Sequence, residues 1–227
     1  MNITFQGFTT KWYISMFSNT TLMEALINTL FIAVVSTFVS GVIGTLAAVG
    51  MNKFNFRGKR IIEALLYVPV VIPEIVLGIA LLSVFSILNM ELGLFTIILS
   101  HITFSVPFVI ITVRARISGL DRSIEEAAMD LGANKFKTFI KITLPMIAPG
   151  VLSGIMLAFT LSLDDVVISF FTAGPGSNTL PLKIFSMIKT GVTPEVNVLS
   201  TLIILVTIMG LACVTFAQAR KIKSIKN

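Results

Sequence analysis

The sequence predicts an all-α protein that crosses a lipid bilayer several times, and two observations lead to this fold class. Of its 227 residues, 55% are hydrophobic and only 12% are charged, whereas soluble domains carry about 25% charged residues. The mean hydropathy is +0.96, and the apolar residues form runs long enough for membrane helices, which need about 20 residues. Together these observations argue against a soluble globular domain.

Five apolar segments are long enough to span the bilayer, and they form a single transmembrane domain, 25–217. An extracytoplasmic leader, 1–24, precedes this domain and a basic tail, 218–227, follows it. We expect the spans at about 25–51, 61–88, 94–113, 149–171 and 196–217.

The basic residues predict the orientation. All but three of the 17 Lys and Arg residues lie in the connectors 52–60 and 114–145 or in the tail. Connectors rich in Lys and Arg remain in the cytoplasm, so we expect the C-terminus inside and the N-terminus outside. The net charge of +6 then reflects topology and does not indicate nucleic-acid binding. The single cysteine, Cys213, excludes a disulfide within the chain.

Several spans carry local signals. In the second span Pro69 and Pro73 precede Glu74, and we expect a kink or break there. In the third, the lone His101 is more typical of a hydrogen bond between helices than of a ligand. The outer loop 172–195 predicts a short helix from Leu180 to Ile188. Small residues at helical spacing in the first span favour close helix packing: Ser36, Ser40, Gly41, Gly44, Ala47 and Ala48.

The polar loop 121–145 predicts two short helices. Ser123 and Glu126 match a capping box, Gly132 fits a left-handed terminator, and Asn134 can cap a second helix that Pro145 stops. We expect acidic residues of the first helix to pair with lysines of the second. Phe136, Phe139 and Ile140 would supply an apolar face. The loop is therefore either a solvated connector or a docking surface for a partner.

The same loop carries a spaced motif that resembles the signature of bacterial ABC importer permeases: Glu126, Ala127, Ala128, Gly132, Ile142, Leu144 and Pro145. Segments 7–13, 162–166 and 174–183 resemble the second permease of spermidine/putrescine importers, and the resemblance covers essentially the whole chain. It implies that the 121–145 loop couples the spans to a separate ATP-hydrolysing subunit.

The resemblance also implies the partners and the location. They are a cassette ATPase, expected as a dimer that holds ATP and Mg, a second homologous permease, an extracytoplasmic polyamine-binding protein and the bacterial inner membrane. The sequence has no G-x-x-x-x-G-K-[ST] phosphate loop, so we expect this chain neither to hydrolyse ATP nor to bind a cofactor. Family members have six spans. Either a further span lies upstream of Met1, or the sequence is truncated, or the protein has five.

Glu74, Asp164 and Asp165 are predicted to lie at span depth, where a charged side chain costs about 2.5–3.5 kcal/mol on insertion scales. Protonation, water, another subunit or a cationic ligand could compensate this cost. Polyamines carry separated ammonium groups, so we predict a cation path at Glu74 and Asp164 with Ser162 as a secondary contact. Adjacent residues diverge by about 100° on a helix, so both aspartates cannot face the path equally. We favour Asp164, and Asp165 is either a further path residue or the cap of a broken helix. Trp12 is either an interfacial anchor or a cover for the cation.

Three alternatives remain open at this stage. The aspartates could form a structural polar knot between helices. The protein could import another cationic or metal-complexed solute, although no His/Cys cluster has metal-ligand spacing. It could also be a cation channel or proton-pathway subunit that needs no ATPase.

Overall fold

A computed structural model describes residues 9–121, 123–190, 194–201 and 204–205. The regular elements in these ranges are helical, which confirms the predicted all-α class. The named elements are α1 (Lys11–Ser18), α2 (Thr20–Lys53), α3 (Lys59–Leu66), α4 (Val68–Val71), α5 (Glu74–Ile87), α6 (Leu94–Ile117), α7 (Ser123–Asp130), α8 (Lys135–Thr138), a π turn (Phe139–Thr143), α9 (Leu144–Asp164), α10 (Val167–Thr172) and α11 (Leu180–Thr190).

Within the described residues, three continuous helical stretches are long and apolar enough to cross a membrane: Thr20–Lys53, Leu94–Ile117 and Lys135–Asp164. A bent pair, Lys59–Val71 with Glu74–Ile87, makes a fourth span if it is counted as one. Most of the predicted fifth span, 196–217, lies outside the described residues. The short outer helix predicted from Leu180 is present as α11.

The second predicted span, 61–88, is a broken helix. Its two halves meet at 112°, because Pro73 lacks an N–H and forces Ile72 out of the helical region, to ψ 136. The kink or break predicted for this span is therefore confirmed, and it is a break between two helices.

The fourth predicted span, 149–171, begins earlier and ends earlier than predicted. Helical structure runs from Lys135 to Asp164, so Pro145 does not stop the helix before it. Pro145 lies in the first turn of α9, where its missing N–H is tolerated, and the π turn at Phe139–Thr143 joins that turn to α8. After Asp164 the chain becomes extended at Asp165, with ψ 126, and α10 follows.

The chain divides into two compact units, Ala25–Leu182 and a smaller one made of Met1–Glu24 with Lys183–Asn227. In the smaller unit Glu195 accepts hydrogen bonds from Asn19 Nδ2 (3.0 Å) and Ser15 Oγ. These bonds tie the N-terminal segment to the helical stretch at 194–201.

Close packing in the larger unit centres on Val109, which is fully buried. A Cβ added at Gly44 of α2 would lie 2.6 Å from Val109 Cβ, and one added at Gly154 of α9 would lie 3.3 Å from its Cα. The glycines therefore allow α2 and α9 to approach α6 on both sides of this residue. The packing predicted for the small residues of the first span is confirmed at Gly44.

We expect Gly44→Ala to lower the unfolding free energy of the protein by about 1–3 kcal/mol, because the added methyl would overlap Cβ and Cγ1 of the buried Val109. Gly50→Ala on the same helix is the matched control, since a Cβ there meets nothing within 4 Å. That change should stabilise α2 by about 0.5–1 kcal/mol. Thermal unfolding of the detergent-solubilised protein measures both effects, and equal melting temperatures would contradict the assigned packing.

Candidate functional site

The two helix breaks of the larger unit meet at a cavity of about 350 Å³. Three carboxylates line it, and none of the other described residues in its lining is basic. The remaining lining is apolar: Pro69, Val70, Ile72, Leu77, Phe104, Phe108, Leu161, Val166, Val167 and Ile168. The structure thus brings Glu74, Asp164 and Asp165 together around one space, from segments 90 residues apart in sequence.

Glu74 and Asp164 occupy opposite kinds of helix end. Glu74 is the first residue of α5, where the positive end of the helix dipole stabilises a carboxylate. Asp164 is the last residue of α9, where the dipole is negative and a carboxylate is disfavoured until a cation approaches. Both residues are exposed in the isolated chain. The cavity therefore presents two accessible carboxylates, of which Asp164 has the stronger need for a positive partner.

Asp165 has a different environment from its neighbour. Its two carboxylate oxygens accept hydrogen bonds from the backbone amides of Ile168 (3.1 Å) and Ser169 (2.7 Å) at the start of α10. His101 Nε2 lies 3.3 Å from Asp165 Oδ2, and the two side chains are 1% and 5% exposed. Asp165 therefore caps the second half of the broken helix, which is one of the two roles expected of it.

His101 is the centre of a buried polar network that joins three long helices. Its Nδ1 hydrogen-bonds with Ser162 Oγ (2.7 Å) and its Nε2 with Ser169 Oγ (3.2 Å). Ser162 Oγ in turn lies 3.2 Å from Ser36 Oγ on α2. The expectation that His101 forms hydrogen bonds between helices therefore agrees with the geometry. The alternative of a structural polar knot describes Asp165 but not Asp164.

Two further residues were predicted to contribute to the path, Ser162 and Trp12. Ser162 is 3% exposed and is held by His101 and Ser36, so it does not line the cavity with Asp164. Its partners come from α2 and α6 and leave no local signal in the sequence. A path role for Ser162 stays a prediction. Trp12 lies on α1 in the smaller unit, about one third exposed, with Lys11 Nζ 5.9 Å from its ring centroid. Its role as an anchor or cation cover stays a prediction.

The 121–145 loop has the turn chemistry expected of it. Gly132 adopts φ +87, its amide donates to Met129 O (2.9 Å), and the Ala133 amide donates to Ala128 O (3.1 Å), which is the Schellman pattern. Asn134 Oδ1 then accepts from the Lys137 amide (2.8 Å) and caps α8. The loop is thus a folded pair of helices, as the sequence predicted.

The start of α7 differs by one position from the predicted cap. The helix begins at Ser123, and the Ser123 amide donates to Asp121 Oδ1 (2.9 Å). This hydrogen bond lowers the pKa of Asp121 below its usual value. The carboxylate is therefore charged at neutral pH and faces the positive end of the α7 dipole.

Two contacts of the loop differ from prediction. Glu125 pairs with Lys53 at the end of α2 (2.8 Å) and accepts a hydrogen bond from Thr143, whereas the sequence predicted pairing with the lysines of the second helix. Phe139 packs against the buried core, so it is not part of the exposed apolar face that was predicted. The exposed apolar side chains of this loop include Leu131, at 90% exposure, and Phe136, at 74%. Leu131 was not predicted to belong to this face, because the sequence next to a helix-ending glycine does not show whether an apolar side chain is exposed.

The signature residues lie along this folded loop. Glu126 and Ala127 of α7 are exposed, and Ala128 of the same helix is half-buried. Gly132, in the turn after α7, is also exposed. Ile142 lies in the π turn, and Leu144 and Pro145 open α9. The motif thus extends from an exposed helix to the start of a span.

Known proteins resemble this chain in sequence over most of its length. It is 45% identical over 207 residues to the spermidine/putrescine transport system permease protein PotC of Escherichia coli (strain K12), covering 91% of this chain and 78% of that protein. It is 43% identical over 224 residues to the putrescine transport system permease protein PotI of the same organism, covering 95% of this chain and 80% of that one.

Solved structures of ABC transporters share the fold. A chain of the inward-facing MetNI methionine ABC transporter matches with a TM-score of 0.68 and 19% identity, over 84% of this chain and 92% of its own length. A chain of a bacterial ABC transporter that imports alginate matches with a TM-score of 0.69 and 17% identity, over 88% of this chain and 81% of its own. These identities support the fold alone.

A family model covers most of the chain. Residues 40–226 match the family described as binding-protein-dependent transport system inner membrane component. The match includes both helix breaks and the 121–145 loop. The chain is a multi-pass inner-membrane protein and belongs to the binding-protein-dependent transport system inner membrane component family.

Proposed function

We propose that the chain is a permease subunit of an ATP-driven importer of polyamines such as spermidine and putrescine. The observation that carries this proposal is the cavity at the two helix breaks, where accessible carboxylates on two different helices face one space with no basic residue in its lining. The family membership and the names of its relatives in Escherichia coli support the same substrate class.

The chemistry of the cavity suits a linear polycation. Glu74 and Asp164 can each bind one ammonium group. Two positive charges of the substrate would then each have a carboxylate partner. Phe104 and Phe108 offer aromatic faces to the ammonium groups and apolar surface to the methylene stem between them. Asp165 is already bonded to α10 and to His101, so it would shape the cavity and not hold the substrate.

The 121–145 loop is the proposed contact with a cassette ATPase, which would hold the ATP and Mg. Leu131 and Phe136 project from it as apolar side chains, and exposed apolar surface of this kind favours a protein partner. The loop and the C-terminus would lie in the cytoplasm of a bacterium. A second, homologous permease and an extracytoplasmic polyamine-binding protein would complete the importer.

Neutral substitutions at the two accessible carboxylates test the proposal. We expect Glu74→Gln and Asp164→Asn each to weaken uptake of labelled spermidine or putrescine about tenfold to a hundredfold, because a hydrogen bond to a charged group is worth about 1.5–3 kcal/mol. Glu91→Gln is the matched control, since Glu91 is exposed and lies outside the cavity lining. Complex abundance in the membrane should be unchanged in all three.

Wild-type uptake by both cavity variants would remove these carboxylates from the transport path. Competition of the labelled substrate by a panel of inorganic and organic cations separates a polyamine importer from one for another cationic solute. Uptake that continues without ATP would identify a channel.

A further inference from the structure

Glu125 is a junction of three structural elements at one end of the larger unit. It lies on α7, its Oε2 is 2.8 Å from Nζ of Lys53, the last residue of α2, and it accepts a hydrogen bond from Thr143. Thr143 is the last residue of the π turn that leads into α9. One carboxylate therefore ties the exposed helix α7 to two of the long helices that cross the membrane.

The surroundings of this carboxylate argue against a purely stabilising role. The Lys53 and Glu125 side chains are partly exposed, at 34% and 22%, beside a cleft of about 490 Å³ that Asp121, Glu126 and Lys135 also line. An ion pair so open to solvent contributes little to folding stability. The Glu125 contacts have a clearer geometric consequence, because they hold α7 in place relative to α2 and α9.

We propose that Glu125 is the residue that transmits movement of α7 to α2 and α9, through Lys53 and Thr143. Glu125 lies outside the motif formed by Glu126, Ala127, Ala128 and the positions that follow. Its side chain is 22% exposed, whereas Leu131 and Phe136 are 90% and 74% exposed. It acts within the chain, as a positioning residue for the coupling loop.

This proposal rests on the proposed function, because it assumes that an ATPase displaces α7. With the tie in place, displacement of α7 pulls the end of α2 and the π turn with it. Without the tie, α7 can follow the ATPase while the two spans lag behind. The expected defect is therefore ATP hydrolysis that no longer drives transport, with assembly preserved.

The test measures molecules of labelled putrescine imported per ATP hydrolysed by the complete importer in proteoliposomes. We expect Glu125→Gln and Lys53→Gln each to lower this ratio about fivefold or more. Fivefold is about the smallest factor by which coupled sites usually affect one another. The combined exchange Lys53→Glu with Glu125→Lys should restore it, because the new lysine can pair with the new glutamate and donate to Thr143. Wild-type assembly and ATP hydrolysis in the single variants, with a lowered ratio, would separate a coupling defect from a merely structural one.

The ion pair between Arg114 Nη2 and Glu63 is the matched control. It has the same separation of 2.8 Å and similar exposure, but it joins α6 to α3 and does not involve α7. Glu63→Gln should leave the ratio unchanged. If Lys53→Gln and Glu125→Gln keep the wild-type ratio, or if the charge exchange assembles without restoring it, the transmission role is wrong. Normal transport by Leu131→Asp would instead overturn the coupling function of the whole loop.

Discussion

Replacing Leu131 by aspartate will abolish ATP-driven uptake while leaving the folded chain intact. Leu131 is 90% exposed and follows α7 at a turn that is held by backbone hydrogen bonds and by Gly132 in the left-handed conformation. The fold of the chain therefore does not depend on the Leu131 side chain. An interface that covers Leu131 would have to bury an unpaired carboxylate in the variant, and this desolvation is costly.

The size of the effect follows from the behaviour of apolar interface anchors. Truncating a central anchor typically costs 2 kcal/mol or more, and a buried charge adds to that cost. We expect uptake to fall below about 5% of wild type and the ATPase to be lost on purification. Leu131→Met keeps the apolar contact and is the control. If Leu131→Asp retains the ATPase and transports normally, the loop has no docking role.

Local chemistry explains which parts of the fold the sequence could predict. Gly132, Asn134 and Pro73 act on their own neighbours in the chain, so the turn in the 121–145 loop and the first helix break were visible in the sequence. The second break was only partly visible. The sequence around Asp164 and Asp165 contains no proline or glycine, and the break there depends on Asp165 bonding forward to α10 and across to His101.

The differences from prediction come from contacts that are distant in sequence or from a local change in the backbone. Ser162 was assigned to the path, but His101, 61 residues away, holds it in the buried network. Glu125 was expected to pair along its own loop, but Lys53 reaches it from α2. Pro145 was expected to end a helix, but it lies in the first turn of α9, and a π turn joins α9 to the helix before it. In each case a partner or a local backbone change that the sequence does not mark decides the outcome.

Asp164 and Asp165 should have opposite mutational phenotypes although they are adjacent and chemically identical. Asp165→Ala removes both amide acceptors at the start of α10 and leaves His101 buried without its carboxylate. A buried donor left without its acceptor costs about 1–3 kcal/mol, and the amides of Ile168 and Ser169 would both lose theirs. We therefore expect Asp165→Ala to lower the thermal stability and membrane abundance of the protein severely. Asp164→Ala should leave both near wild type and impair only uptake.

Asp165→Asn separates the two contributions of the carboxylate, because an asparagine can still cap α10 through its side-chain oxygen but offers no charge to His101. We expect an abundance between that of wild type and that of Asp165→Ala. Measuring thermal unfolding and polyamine uptake on the same preparations distinguishes a folding defect from a transport defect. A stable Asp165→Ala protein that fails only in uptake would show that Asp165 contacts the substrate, and it would place both aspartates in the path.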